Sequence, residues 1–385
     1  MPDLDGMRIA IITESFPPDV NGVAHCVVRV AENLVRKGHH PLVIAPESAR
    51  ATSSADSQFP YPVERVPSVP FPRYPSLRVG LPTPKTRRAI TRHRADVVHL
   101  AGPVALGAWG SHVAKAMDLP MVAVYQTDLP NYARAYRLPL TEAFTWRWLR
   151  DIHNAAGRTL APSSMTAADL HAHGMERVWL WGRGVDTERF HPARRDERLR
   201  AEIAPDGEVI VGYVGRLAAE KRVDLLAAVA GLPGVRLAVT GGGPMEEELR
   251  QAIPQAVFLG TRHGEDLARI YASLDVFVHT GPFETFGQTI QEAAASGLPV
   301  VAPAAGGPVD LVDEGVTGFL VPPGDGDALA AAVSRLTADA ALRSRFSEAA
   351  RRRVLGRSWS ALVDELIGHY AAVIGADANS GRMAA

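Results

Sequence analysis

Short apolar runs alternate with amphipathic stretches along almost the whole chain, and the alternation predicts a strand-helix-strand rhythm in two blocks. In the first block Arg8–Thr13, Pro41–Ala45, Asp96–Leu100 and Pro120–Tyr125 read as strands, with shorter ones near Arg158–Ala161 and Val178–Trp181. Helices are expected from Val23 to about Lys37, from Val104 to Met117 and from about Thr141 to Ala156. The second block restarts at Val209–Gly215 and continues through Val235–Thr240, Ala256–Leu259, Asp275–His279, Leu298–Ala302 and Gly318–Val321. Strands this uniformly apolar suit parallel sheets covered on both faces, so the expected class is α/β with two doubly wound domains.

Between the blocks, the charged stretch Pro192–Arg200 reads as a linker and divides residues 1–190 from residues 191–357. An amphipathic helix follows over residues 358–375, and the small, polar tail 376–385 is expected to be disordered. The Pro-rich segment Pro60–Pro84 reads as a long irregular excursion, exposed and mobile. Lys85–Arg94 then forms a basic helix with Lys85, Arg88 and Arg92 on one flank. A solvated face is the commoner reason for such a run; attraction to anionic headgroups, worth about 1 kcal/mol per basic residue, is the sharper one.

Composition narrows the choice. A length of 385 residues agrees with two cores, and 41 basic against 42 acidic residues leave no global electrostatic case for nucleic acid. The single cysteine, Cys26, excludes an internal disulfide and fits a reducing cytosol. The first residues lack a basic segment followed by an apolar run, and no stretch nears the roughly 18 apolar residues a membrane span needs. A cytoplasmic protein is expected, with membrane contact limited to the periphery of the inner face.

Candidate chemistry gathers where strands end, which is where open parallel sheets bind ligands. The stretch Glu284-Thr-Phe-Gly-Gln-Thr-Ile-Gln-Glu292 puts two carboxylates eight residues apart across the start of an Ala-rich helix running to Gly297. Eight residues span roughly 12 Å of helix axis, so a ligand touching both is long and differs at its two ends. A nucleoside diphosphate sugar fits. Arg216 and Lys221, after the strand ending at Gly215, supply two cations that could neutralise a diphosphate, and the amides near Gly287 and Gln288 add donors at a helix start. A carboxylate beside a diphosphate is repelled, so Glu284 suits sugar hydroxyls and Glu292 ribose hydroxyls. The bland alternatives are a charge complementing the helix dipole and an exposed side chain. Gly22 and the Gly241-Gly242-Gly243-Pro244 turn could admit phosphate or sugar, though tight turns explain them as well. Gln126 and Asp128, at a strand's carboxyl end beside Tyr125, are candidates for sugar or acceptor contacts; Asp128 could equally cap the next segment of the chain. Asp325 and Asp327 look like paired carboxylates for a metal, but capping the next helix is the better account.

Taken in order, the Pro-Pro-x3-Gly loop ending at Gly22, Gly215-Arg216-Leu217 with Lys221, Gly243-Pro244 and Glu284-x7-Glu292 resemble the retaining glycosyltransferases of family 4 over nearly the whole chain. The resemblance implies a GT-B fold, two facing Rossmann-like domains with the last helix crossing back to the first. It also implies that the first domain binds acceptor and the second the donor. Arg216 and Lys221 would hold the donor diphosphate, Glu292 the ribose, and Glu284 with the Phe286-Gly287 backbone the donor sugar. Tyr125-Gln-Thr-Asp128 and His279-Thr-Gly-Pro-Phe-Glu284 look most like actinobacterial mannosyltransferases that use GDP-mannose and modify glycolipids. Two departures stand out: many relatives have His at Gln126 and Asp at Gly242, so sugar contact and base selection here rest on different groups.

The implied mechanism is front-face substitution with retention, without metal or other cofactor, because no carboxylate stands out as the nucleophile of a double displacement. The expected partners are a nucleotide-sugar donor and a lipid or glycoside acceptor, with peripheral membrane contact through residues 85–94. A UDP-sugar-dependent transferase of glucosyl or sulfoquinovosyl type and a nucleotide-sugar epimerase are the alternatives. A phosphorylase would need a lysine-bound pyridoxal group, and no lysine stands out for it; a non-catalytic binding module would not need both cations and both glutamates.

Overall fold

The computed structural model describes residues 6–19, 21–48, 56–71, 74–102, 105–128 and 142–383. Val104 and Thr141, expected to open helices, and the last two residues of the tail lie outside these. The chain divides into two compact units, one formed by residues 1–182 with 359–385 and the other by residues 183–358.

The first unit is built on a seven-stranded parallel sheet. Its strands are β1 (Arg8–Ile12), β2 (His40–Pro46), β3 (Val63–Val66), β6 (Val97–Leu100), β7 (Met121–Val124), β8 (Arg158–Ala161) and β9 (Val178–Leu180), in the order β3-β2-β1-β6-β7-β8-β9. Ile9, Ala10, Ile11 and Ile12 are all buried, because helices cover both faces of β1. One of these is α1 (Gly22–Arg36), whose N-cap Asn21 accepts from Val23 N and Ala24 N at 3.0 Å each. The Pro-rich segment is more ordered than expected. It supplies β3 and then a two-stranded antiparallel ribbon, β4 (Ser68–Phe71) and β5 (Tyr74–Gly80). Proline is tolerated there because a two-stranded ribbon leaves one side of each strand without ladder bonds.

The basic helix, α2 (Pro84–His93), buries Thr86, Ala89 and Ile90. Lys85 and Arg92 both pair with Glu64 at the edge of the sheet, at 3.3 and 2.5 Å. The cationic flank is therefore smaller than its sequence suggests.

The unit is closed by the last helix of the chain. Trp359, Leu362, Val363, Leu366, Tyr370 and Val373 recur at helical spacing and are buried in the same cluster as Ile9, Ile11 and Leu34. Trp181 Nε1 donates to Leu362 O at 2.9 Å, and the Tyr370 hydroxyl lies 2.5 Å from His99 Nδ1 on β6. The helix runs from Trp359 to Met383, so residues 376–383, expected to be disordered, have helical backbone. No helix among the described residues is long and apolar enough to cross a membrane.

The second unit is a six-stranded parallel sheet of β10 (Val209–Val214), β11 (Val235–Thr240), β12 (Val257–Gly260), β13 (Val276–Val278), β14 (Val300–Pro303) and β15 (Gly318–Val321), ordered β12-β11-β10-β13-β14-β15. The stretch read as a linker lies inside this unit: Pro192–Arg194 is a 3-10 turn and Glu197–Ile203 a helix capped by Asp196. Its charges are engaged, since Arg200 pairs with Asp275 at 3.0 Å and the same carboxylate accepts from Ile210 N at 2.8 Å. Asp325 accepts from Ala328 N at 2.8 Å and so caps the next helix, Gly326–Ala338.

At the sheet's edge a Cβ on Gly318 would lie 1.9 Å from Val300 O, whereas one on the exposed helical Gly368 would meet nothing within 4 Å. Gly318→Ala is expected to cost about 1–3 kcal/mol through a clash with backbone, and Gly368→Ala to add about 0.4–1 kcal/mol. Urea unfolding followed by circular dichroism measures both; a neutral Gly318→Ala would contradict the register of β14 and β15.

Candidate active site

In the second sheet the strand order reverses between β10 and β13, and ligands of doubly wound sheets bind at such a switch point. Both strands release their loops there. The loop after β10 carries Arg216 and Lys221; the loop after β13 carries Glu284, Phe286 and Gly287 and opens the helix Gln288–Ala295 with Glu292. Of the span from Glu284 to Glu292 only Gln288 onward is helical, so about 6 Å of helix axis replaces the expected 12 Å and loop makes up the rest.

Backbone packs directly on backbone around this site. Gly241 and Gly243 are glycine because a Cβ would come 1.9 Å from Gly215 O and 2.3 Å from Leu217 O. Leu217 N donates to Gly242 O and Met245 N to Leu217 O, both at 3.0 Å. The three-glycine turn thus braces the Arg216 loop. Gly242 itself faces Thr261 and Glu246. On the other side, a Cβ on Gly307 would fall 1.9 Å from Phe286 O, and Gly307 N donates to Glu284 O at 2.7 Å. Gly287, at φ +100°, begins the helix in a conformation that favours glycine.

Lys221 ends the 3-10 turn Ala219–Lys221, and Arg222 follows in the left-handed region at φ +47°. Thr280 Oγ1 donates to Lys221 O at 2.6 Å, and a Cβ on Gly281 would lie 3.3 Å from the Lys221 Cα. So anchored, Lys221 Nζ forms a short ion pair with Glu284 Oε1. Burial opposes charge on Glu284, but the Lys221 ammonium, with Arg183 adding to it, outweighs it and holds the carboxyl below the usual carboxylate range. His279 is 3% exposed, with Nε2 3.7 Å from the same oxygen. Burial holds its ring below the usual histidine value. Arg216 is half exposed, and its guanidinium is 3.7 Å from Glu220.

Glu292 accepts from the buried Tyr271 hydroxyl at 3.2 Å. Burial pushes its carboxyl up to about 7, against hydrogen bonds from Tyr271 and Gln288 and the charge of Arg189. Gln288 Nε2 donates to Gly184 O at 3.1 Å, tying the helix start to the first turn of this unit.

The remaining candidates belong to the first unit. Gly22 is the first residue of α1, beside its cap Asn21, whose amide donates to Ser15 Oγ at 2.7 Å. Gln126 is buried, and its Nε2 donates to Ala101 O at 3.0 Å, joining the loops that leave β6 and β7. Tyr125 is buried and its hydroxyl lies 3.5 Å from Asp128. Sequence reasoning gave no role to Glu14 in the loop after β1. Its buried carboxylate accepts from Gly80 N at 3.2 Å and from Leu106 N at the start of the helix Ala105–Lys115. Burial pushes it up to about 7 despite those backbone donors. It also gave no role to His279, Arg183 or Tyr271. A lone histidine closing an apolar strand marks the first of these, but that mark reads equally as a core residue.

Residues 20–189 match the family model described as Glycosyltransferase Family 4, and residues 195–353 the model described as Glycosyl transferases group 1. A GDP-mannose-dependent alpha-mannosyltransferase of Mycobacterium tuberculosis is 50% identical over 96% of this chain and 98% of its own. One of Corynebacterium glutamicum is 42% identical over 96% of this chain and 89% of its own. Among solved structures, Anabaena Alr3699/HepE in complex with UDP and glucose superposes with a TM-score of 0.77 at 23% identity, over 95% of this chain and all of that one. The two Rossmann-like units are thus those of GT-B glycosyltransferases. A chain matched by both models, and this similar to those mannosyltransferases over nearly its full length, belongs to glycosyltransferase family 4 and is a nucleotide-sugar-dependent hexosyltransferase.

Proposed function

We propose that the chain transfers mannose from GDP-mannose to a hydroxyl acceptor with retention of configuration. The observation that carries this is its 42–50% identity, over nearly full length, to three proteins named for that donor and linkage. The second unit is the donor side in this reading. Arg216, Lys221 and the amides at the start of the helix Gln288–Ala295 face the diphosphate, Glu292 the ribose, and Glu284 with the Phe286-Gly287 backbone the mannose. Tyr125 and Asp128 belong to the acceptor side in the first unit.

The chemistry follows from charge. The bond from the anomeric carbon to the diphosphate breaks, the acceptor oxygen bonds the same face, and its proton passes to the departing phosphate oxygen. What the protein adds is fixed positive charge where the diphosphate gains negative charge. Lys221 is neutralised by Glu284 before the donor arrives, so the diphosphate competes with a carboxylate for it. Glu284 is ion-paired and held ionised, a state suited to accepting hydroxyl hydrogen bonds.

The acceptor is proposed to be a lipid-linked or simple glycoside, reached by peripheral contact with an anionic membrane. With Lys85 and Arg92 engaged by Glu64, that contact falls to the exposed Arg87, Arg88 and Arg94. Vesicles rich in anionic lipid should sediment the protein, and Arg87→Glu with Arg88→Glu should abolish this; equal sedimentation of the variant would refute the contact.

GDP-mannose should raise the thermal unfolding midpoint while UDP-glucose leaves it in place, and GDP should be released in the presence of octyl hexosides. Stabilisation by UDP-glucose alone overturns the donor assignment. In the same assay Lys221→Ala should lower kcat by about a hundredfold or more with circular dichroism unchanged; turnover near wild type would refute its role.

Glu292 supplies a pH signature. Its folded value, about 7, lies above the ordinary 4.5, so its contribution to stability is fully present below pH 4.5 and is lost as pH rises through 7. Ribose hydroxyls donate best to the ionised form, so GDP affinity should rise with pH up to about 7 and then level off. Calorimetric titration of wild type against Glu292→Gln separates this from titration of GDP itself; parallel profiles would rule out the ribose contact.

A further inference from the structure

His279 follows β13 at the mouth of the site, and neither the proposed donor contacts nor the transfer step uses it. Its backbone N–H donates to Val301 O at 2.8 Å, so the main chain there is held by the neighbouring strand. Its side chain is 3% exposed, yet neither ring nitrogen makes a well-formed hydrogen bond; the nearby polar groups that act on it are Glu284, Lys221 and the Gly281 backbone. A buried polar group left in that condition is costly. The three residues before it, Val276, Phe277 and Val278, are apolar and buried, so an apolar residue at position 279 would suit the strand better.

What singles the ring out is its direction. Nε2 lies 3.7 Å from Glu284 Oε1, the oxygen that Lys221 occupies, and 3.5 Å from where a Cβ on Gly281 would stand. The missing Cβ keeps open the narrow space shared by His279, Gly281 and the Lys221 stem. Closing from 3.7 Å to hydrogen-bond distance takes a movement of less than about 1 Å. Thr280, the next residue, grips the Lys221 carbonyl, so ring and lysine are fixed to one frame while the carboxylate between them can shift.

We propose that His279 is a positioning residue for Glu284: as the hydroxyls of the transferred sugar draw the Glu284 carboxylate away from Lys221, the His279 Nε2–H donates to that carboxylate and keeps it aimed at them. The inference rests on the GDP-mannose reading of the site. The ring, 3.7 Å from Glu284 Oε1, gains its partner when the sugar, and not the diphosphate alone, moves the carboxylate. Burial favours the neutral ring, which carries one N–H and so can donate without adding a second cation beside Lys221.

The test compares GDP with GDP-mannose, because only the second has the sugar that Glu284 contacts. By calorimetry, His279→Met should leave the Kd for GDP within about twofold of wild type and weaken GDP-mannose by about tenfold, the size of one hydrogen bond to a charged group. His279→Gln, which returns an N–H near the Nε2 position, should recover most of the loss. In a Glu284→Gln background His279→Met should have almost no further effect on GDP-mannose. A purely structural histidine would weaken both ligands together and do so in either background, and that outcome overturns the proposal. Unchanged GDP-mannose binding in a folded His279→Met protein overturns it too. If His279→Met does not fold, His279→Asn, whose shorter amide falls away from Glu284, takes its place with the same expected split. A wild-type chain that binds neither GDP-mannose nor GDP would remove the donor reading and this inference with it.

Discussion

The reversal of strand order at the middle of the second sheet is the constraint on which the site depends. On either side of a switch point, successive helices cross to opposite faces, so the loops from β10 and β13 leave adjacent strands with no helix between them. That opening lets a cation from one loop meet a carboxylate from the other across 63 residues of sequence. The contact between Lys221 and Glu284 is a product of topology before it is a product of chemistry. The glycines of both flanking turns serve the same end, since loops that must converge this closely have room for backbone and little else.

An ion pair at the proposed diphosphate site has two effects. It keeps each charge from being buried alone, which would be costly. It also sets a threshold for any ligand, because only a group that satisfies lysine and carboxylate together replaces what it disrupts. A diphosphate joined to a hydroxyl-rich sugar does so; a bare diphosphate satisfies one side and leaves Glu284 facing an anion. On the proposed reading of the site, selectivity for the intact donor is thus built into the pair.

How much of this the sequence disclosed varied with the physics of each element. Strands such as Ile9–Ile12 and Val209–Val214 were legible because burial on both faces writes itself as an uninterrupted apolar run. The ribbon at 68–80 was not, because proline argues against strands yet is permitted where a ladder has only one side. The charged stretch 192–200 suggested a linker, but Arg200 and Asp275 meet through the fold, which local composition does not encode. Within the site, Arg216, Lys221, Glu284 and Glu292 could be placed on one rim from strand ends alone. Their pairing could not, nor could the place of His279, since one polar residue closing an apolar run looks the same whether it packs in a core or faces a ligand. Gln126, expected at the sugar or acceptor, also joins two strand exits through Ala101, a tie that no local pattern encodes.

The last helix has a consequence for how the chain comes into being. The second unit is contiguous, residues 183–358, whereas the core of the first is missing one side until residues from Trp359 onward are present. During synthesis the unit made first is therefore completed last. Nascent β1 and α1 carry an uncovered apolar groove throughout the manufacture of the whole second unit, and a ribosome that stops early releases a chain whose later half is finished and whose earlier half is not.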